Sequence, residues 1–352
     1  MVPITNVTVH FNRLSNTTDE SLNVVAINVS LAFLMLFTLI GNFLVLLAFY
    51  VQPRLRRVIY FPIISLALAD LLCALTAMPL YIVKKNNMAG QVNERLVCDL
   101  YRFSYFFTEY ASITSLMAIS IERFLVIYNP LKYRGFISLH VMITGLIVCW
   151  LEALLVSSMP FYWRNENDEE CTNSPTADWS FLVITVNVFL PFLVIFLCHC
   201  YIYRKTLKSF NSNHHDNTSS EYCAGHIIRA EDWKLERKAT ISFTVVVGVF
   251  ILCWGPSTLY YFIRNICPEC FSDSFKSWKS TVSATMKILT FANSFVNPII
   301  YFWLNMDFRK AFIRVLKREW DSKTVVFASR SRSGTANSTL GMATTGNALT
   351  NV

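Results

Sequence analysis

Ionisable and amide side chains stand out in this sequence because their neighbours are so apolar. Asp70 follows Leu66-Ala67-Leu68-Ala69, Glu109 follows Phe106-Phe107-Thr108, and Lys287 lies between Met286 and Ile288. Glu122 and Arg123 are adjacent, and Asn293 and Asn297 precede Pro298 and Tyr301. Such groups are expensive to bury in an apolar stretch, so those that persist are candidates for binding or switching. A spacing of four residues puts Tyr105 and Glu109 on one helix face. A carboxylate there can hold an ammonium, with Tyr105, Phe106, Trp254 and Phe291 supplying cation–π contact. The chain also carries the competing charge. Lys287 can pair with Glu109 and neutralise it, and a buried pair of this kind can lock a helix bundle.

These residues need elements that hold them in lipid. Of the 352 residues 54% are apolar and 15% charged, and the mean hydropathy is +0.41, which leaves too little charge for the surface of a soluble domain of this length. Seven apolar stretches are each long enough to cross a hydrocarbon core of roughly 30 Å. They run over Val25–Val51, Tyr60–Val83, Val97–Ile127, His140–Tyr162, Trp179–Tyr203, Lys238–Ile266 and Thr281–Leu304. Each must be helical, because lipid offers no water to backbone N–H and C=O groups. The fold class is therefore all-α, a seven-transmembrane helix bundle with a short amphipathic eighth helix. Prolines at 62, 79, 160, 191, 256 and 298 are expected to kink these helices.

Charge sets the expected orientation. Arg54, Arg56 and Arg57 fill the first connection, and Arg309, Lys310 and Arg314 follow the last stretch, whereas Glu166, Asp168, Glu169 and Glu170 make the fourth connection acidic. By the positive-inside rule the N-terminus lies outside and the C-terminus in the cytoplasm of a multi-pass plasma-membrane protein. The net charge of +8 is then no argument for nucleic acid. Two sequons, at Asn6 and Asn16, agree with an exposed outer tail. Cys98, at the outer end of the third stretch, and Cys171, in the acidic loop, share the compartment that permits a disulfide. Cys267 and Cys270 fit a small loop disulfide better than a redox or zinc motif, since no second Cys-x-x-Cys accompanies them.

In order along the chain stand Gly41-Asn42, Leu66-Ala67-Leu68-Ala69-Asp70, Glu122-Arg123-Phe124, Trp150, Pro191, Phe250 with Cys253-Trp254-Gly255-Pro256, and Asn297-Pro298-Ile299-Ile300-Tyr301. An amphipathic Asp307-Phe308-Arg309-Lys310-Ala311-Phe312 follows. From about residue 24 to residue 319 this resembles a rhodopsin-like G-protein-coupled receptor. The resemblance implies a cell-surface receptor, not an enzyme, that turns binding of a small extracellular ligand into activation of a heterotrimeric G protein. It also implies that Asp70, Ser112, Asn293 and Asn297 cluster beneath Trp254 and can hold a sodium ion as an allosteric modulator, no cofactor being required. Arg123 would pair with Glu122 and with Glu236, Phe250 and Trp254 would couple pocket to core, and Tyr301 would move on activation. Pro130 and Leu131 would meet the G protein.

The implied domains are an outer glycosylated tail (1–23), the seven-helix domain (24–305), the amphipathic helix (306–320) and a disordered cytoplasmic tail (321–352). The last is expected to serve receptor kinases, arrestin and, at Val352, a PDZ protein.

The scaffold looks closest to biogenic-amine receptors, but the pocket departs from them. Those receptors bind the ammonium with an Asp eighteen positions before the arginine, and here that position is Tyr105. Ser257 and Thr258 replace the usual aromatic pair, Ser65 stands where Asn is frequent, and His199 stands where the fifth stretch commonly carries Tyr. An amine-like ligand at Glu109, with Tyr105, Phe106, Trp254, Thr258, Lys287 and Phe291 around it, is the favoured reading. The alternatives are an acidic or zwitterionic ligand met by Lys287, Arg102 and Arg264, a peptide or lipid ligand, or an opsin-like photoreceptor with a Schiff base on Lys287.

Overall fold

The computed structural model describes residues 4–86, 94–129, 133, 137–162, 182–215, 244–260, 262–263, 267 and 279–317, with side chains from residue 24 onward except at 206–215 and 279–280. Every regular element among these residues is helical. Five helices are long and apolar enough to cross a membrane: α1 (Val24–Val51), α2 (Val58–Lys85), α3 (Glu94–Tyr128), α4 (Leu139–Phe161) and α5 (Leu182–Lys205). The apolar α6 (Thr244–Tyr260), α7 (Lys279–Leu304) and the short α8 (Met306–Leu316) complete the described bundle. Ahead of the apolar α1 span the helical backbone continues back to Ile4.

The α3 helix is the hub. It packs on α2, α4 and α5, and 72% of its most apolar window is buried, against 11% for α4. Glu109 and Glu122 accordingly lie on the helix whose faces meet protein, and both are buried.

The prolines are accommodated in more than one way. Before Pro79 and before Pro191 the chain forms a π-turn, over Cys73–Ala77 and Thr185–Phe189. Met78 N–H reaches back five residues to Cys73 O, and Leu190 N–H to Thr185 O, so the ladder slips by one residue ahead of the ring that cannot donate. Pro298 instead stays within α7. Its missing N–H deprives the carbonyl of Ser294 of its i+4 donor, and Asn42 Nδ2 on α1 donates to that carbonyl at 3.0 Å. The approach is close because residue 41 is glycine: a Cβ there would lie 2.9 Å from Pro298 Cγ.

Ser65 ties three helices together. Its Oγ accepts from Trp150 Nε1 on α4 at 2.9 Å and bonds Ser115 Oγ on α3 at 2.8 Å. A serine thus meets the α4 indole from the position where Asn is frequent. Ser65→Ala strands the buried indole N–H and is expected to cost about 1–3 kcal/mol, read as a lower thermal unfolding midpoint of the purified protein beside the parent. An unchanged midpoint would mean that the bridge adds nothing.

At the opposite end from Cys98, α8 is capped by Asn305, whose Oδ1 accepts from Asp307 N at 3.0 Å. Phe308, Ala311, Phe312 and Val315 are its buried stripe, at the i, i+3, i+4, i+7 spacing of an amphipathic helix. Tyr60 Oη donates to Asp307 at 2.7 Å and Arg314 to Gln52 Oε1 at 2.7 Å, which fastens α8 to the turn between α1 and α2.

Candidate functional site

Within the Cys98 end of the bundle, side chains of α2, α3, α6 and α7 converge on one aromatic-walled cluster. Tyr101, Tyr105 and Glu109 follow one another at single-turn intervals on α3, and all three are buried. The Tyr101 and Tyr105 rings are 5.9 Å apart; Tyr81 of α2 lies 5.5 Å from the first, and Phe291 of α7 6.0 Å from the second. Phe106 meets Tyr105 edge-on at 5.4 Å. Lys287 of α7, half-buried, places Nζ 3.4 Å from the Tyr105 ring centroid. Lys84 of α2 stands over the Tyr101 ring at 5.2 Å.

At the floor, Trp254 Nε1 donates to Glu109 Oε2. Glu109 and Lys287 also interact electrostatically. Glu109 thus accepts from the indole while feeling the positive charge of Lys287. Thr258, half-buried, turns its hydroxyl back to Trp254 O at 3.0 Å. Arg264 lies outside the described residues. Tyr81, Tyr101 and Lys84 were missed in the sequence. Tyr101 could have been found by extending the Tyr105–Glu109 spacing one turn back, whereas Lys84 lies on another helix and no spacing links it to Glu109.

Trp254 carries the cluster toward the core. Its ring stacks on Phe250 at 6.1 Å, and Phe192 of α5 lies 5.3 Å from Phe250. Deeper still, Asn297 Nδ2 donates to Asp70 Oδ2 at 2.8 Å, and the Ser112 and Ser294 hydroxyls face the same carboxylate. Asp70 Oδ1, Asn293 Oδ1 and Asn297 Oδ1 are buried and accept no hydrogen bond. One carboxylate and two amide oxygens left without donors form a set that suits a hard cation.

At the far end, Arg123 Nε lies 3.0 Å from Glu122 Oε2, and Tyr133 Oη donates to Glu122 Oε1 at 2.7 Å. Glu236 and Leu131 lie outside the described residues. His199 bridges Ser120 on α3 (3.3 Å) and Thr244 on α6 (3.2 Å), a cross-link that its identity alone did not announce. Tyr301 is fully buried and stacks on Phe308 at 5.5 Å. Cys98 and Cys267 are each disulfide-bonded, while Cys171, Cys270 and the side chains of Asn6 and Asn16 lie outside the described residues.

A bundle with a buried polar hub, an aromatic cluster around Glu109 at one end and a buried Arg123–Glu122 pair at the other has the layout of a membrane receptor. The sequence matches the model of the 7 transmembrane receptor (rhodopsin family) over residues 41–301, and the chain belongs to that family. It is a multi-pass membrane protein and a G-protein-coupled signalling receptor, not an enzyme. Its relatives include the octopamine receptor beta-2R of Chilo suppressalis, 27% identical over 81% of this chain and 78% of the relative. The alpha-1A adrenergic receptor of Oryzias latipes is 28% identical over 88% and 71%, and the human histamine H2 receptor 27% over 84% and 80%.

Proposed function

We propose that this receptor, with its N-terminus outside the plasma membrane, is activated by a small extracellular ligand whose ammonium group is held by Glu109. The observation that carries the reading is a buried carboxylate beneath Tyr105 that also accepts the indole N–H of Trp254. The relatives named for octopamine, histamine and the adrenergic class support an amine-type ligand. An ammonium that engages Glu109 draws the carboxylate from the indole, and Trp254, stacked on Phe250, passes the change downward. The equilibrium then shifts toward a state in which Arg123 leaves Glu122 and Glu236, opening the inner face to a G protein.

Asp70, with Ser112, Asn293 and Asn297, is the proposed seat of a sodium ion, which would supply the positive charge that the orphaned oxygens lack. The pairings Cys98–Cys171 and Cys267–Cys270, glycans at Asn6 and Asn16, and kinase, arrestin and PDZ contacts of the cytoplasmic tail belong to the same reading.

The test is a calcium response to a panel of biogenic amines in cells with a promiscuous G protein, run beside Glu109→Gln. Loss of one partner of a buried charged contact is expected to weaken the response about thirtyfold or more. A response of equal potency in the variant would place the ammonium elsewhere. A second reading, an acidic ligand met by Lys287, is favoured by the position of that ammonium over Tyr105. It predicts silence to every amine and a response to acids that Glu109→Gln leaves intact.

A further inference from the structure

The cationic side chains of the pocket stand in tiers above its single described floor carboxylate. Glu109 is at the bottom, Lys287 sits one turn higher against Tyr105, and Lys84 a further turn higher against Tyr101. Each turn of α3 rises about 5.4 Å. Lys84 also feels Arg102 and Lys287 electrostatically, while Arg102 is set against Asp99. With Glu109 set against Lys287 as well, Lys84 is the cation in excess among the described pocket residues. Between the tiers lie aromatic rings (Tyr81, Tyr101, Tyr105 and Phe291) that can enclose an apolar body.

A ligand with only an ammonium has to take Glu109 away from Lys287. It then adds a third positive charge beside Lys287 and Lys84, and like charges repel strongly in a site of low dielectric. A ligand with only a carboxylate creates the converse problem at Glu109. A molecule carrying both groups exchanges the mutual attraction of Glu109 and Lys287 for two pairs across the interface. Its ammonium goes down to Glu109 and its carboxylate up to Lys287, and Lys84 adds attraction from the mouth.

We propose that the natural ligand is a small zwitterion of the amino-acid type, bound ammonium-inward at Glu109 and carboxylate-outward at Lys287 and Lys84. This rests on the assignment of Glu109 as the ammonium anchor and narrows the ligand class from amines to amines that also bear an anionic group. Lys287 is in this view a resident counter-ion that selects against simple amines.

The experiment uses matched triples on the full-length receptor in cells with a promiscuous G protein. One triple is tyrosine, tyramine and 3-(4-hydroxyphenyl)propionate; a second is histidine, histamine and imidazolepropionate; a third is 6-aminohexanoate, hexylamine and hexanoate. Surface level is measured on intact cells through an N-terminal epitope. The zwitterion of at least one triple is expected to act at about tenfold lower concentration than its amine, a difference equivalent to about 1.4 kcal/mol. Lys287→Met is expected to erase or invert that preference, and Glu109→Gln to weaken zwitterion and amine alike. If Lys287→Met fails to reach the surface, Lys287→Arg is expected to keep the preference and Lys84→Gln to reduce it severalfold.

A parent in which no triple favours the zwitterion over its amine overturns the proposal, as does a preference untouched by Lys287→Met or, where that variant is absent from the surface, by Lys84→Gln. Silence of a surface-expressed parent to all three triples overturns it too. An amine response that needs Glu109 but shows no zwitterion preference removes this inference alone. A response indifferent to Glu109→Gln removes the anchor and, with it, both readings.

Discussion

Gly41→Leu is expected to leave almost no folded receptor at the cell surface. Even a methyl group at position 41 would stand 2.9 Å from Pro298 Cγ and 3.0 Å from its Cβ, and a pyrrolidine ring has no rotamer by which to swing aside. Relief requires α1 to back away from α7. Withdrawal breaks the Asn42 Nδ2 contact to Ser294 O, which replaces the donor that Pro298 cannot supply. Overpacking costs about 1–3 kcal/mol and stranding the carbonyl about as much again. A leucine adds three more carbons to the clash. Gly41→Ala should be the graded control, lowering the thermal midpoint while keeping part of the surface population. Normal surface staining of Gly41→Leu would show that the two helices are free to separate.

Sodium is expected to raise the unfolding midpoint of the purified receptor by several degrees relative to N-methyl-D-glucamine, and Asp70→Asn to abolish the difference. Asp70 is fully buried, and one of its oxygens accepts no hydrogen bond, as do the side-chain oxygens of Asn293 and Asn297. Three acceptors facing inward without a donor are an unfavourable arrangement that a small cation relieves. A ligand held at about one hundred times its Kd stabilises by about 2.7 kcal/mol, an effect well above the scatter of a melting experiment. Asp70→Asn removes the charge but keeps the shape, so the contact from Asn297 is perturbed less than by a smaller residue. Equal midpoints in the two salts would leave these oxygens without an ionic role.

Much of the bundle was legible because membrane helices are written in long, simple code. The apolar runs located α2 to α5 and α7 within about three residues, and the pairing of Asp70 with Asn297 and of Arg123 with Glu122 followed from the motifs. The places where the sequence fell short have physical reasons. Pro79 and Pro191 signalled kinks, but the choice of a π-turn depends on how neighbouring helices accept the displaced backbone, which no local window contains. The helices α3 and α5 extend past the apolar runs, since a helix once nucleated continues into polar sequence. Glu109 and Trp254 were both candidates, yet their direct contact joins residues 145 apart in sequence and depends on the rotation of two helices. Lys287 was weighed as a partner for Glu109; its seat on the face of Tyr105 required knowing that α7 and α3 are adjacent at that depth.

The seam between α1 and α7 has a consequence for biosynthesis. Translation delivers Gly41 and Asn42 to the membrane long before Ser294 and Pro298 exist. Through that interval the Asn42 amide has one described acceptor, Thr38 O at 3.0 Å on its own helix, and the shallow notch at Gly41 faces lipid. The packing of α1, already possible against α2, is thus completed only when α7 arrives. A nascent chain stalled or truncated before residue 294 displays an amide in lipid, a feature by which membrane quality control can tell an unfinished receptor from a finished one. Lesions in the final helix should accordingly surface as retention of a protein whose defect lies, structurally, at its beginning.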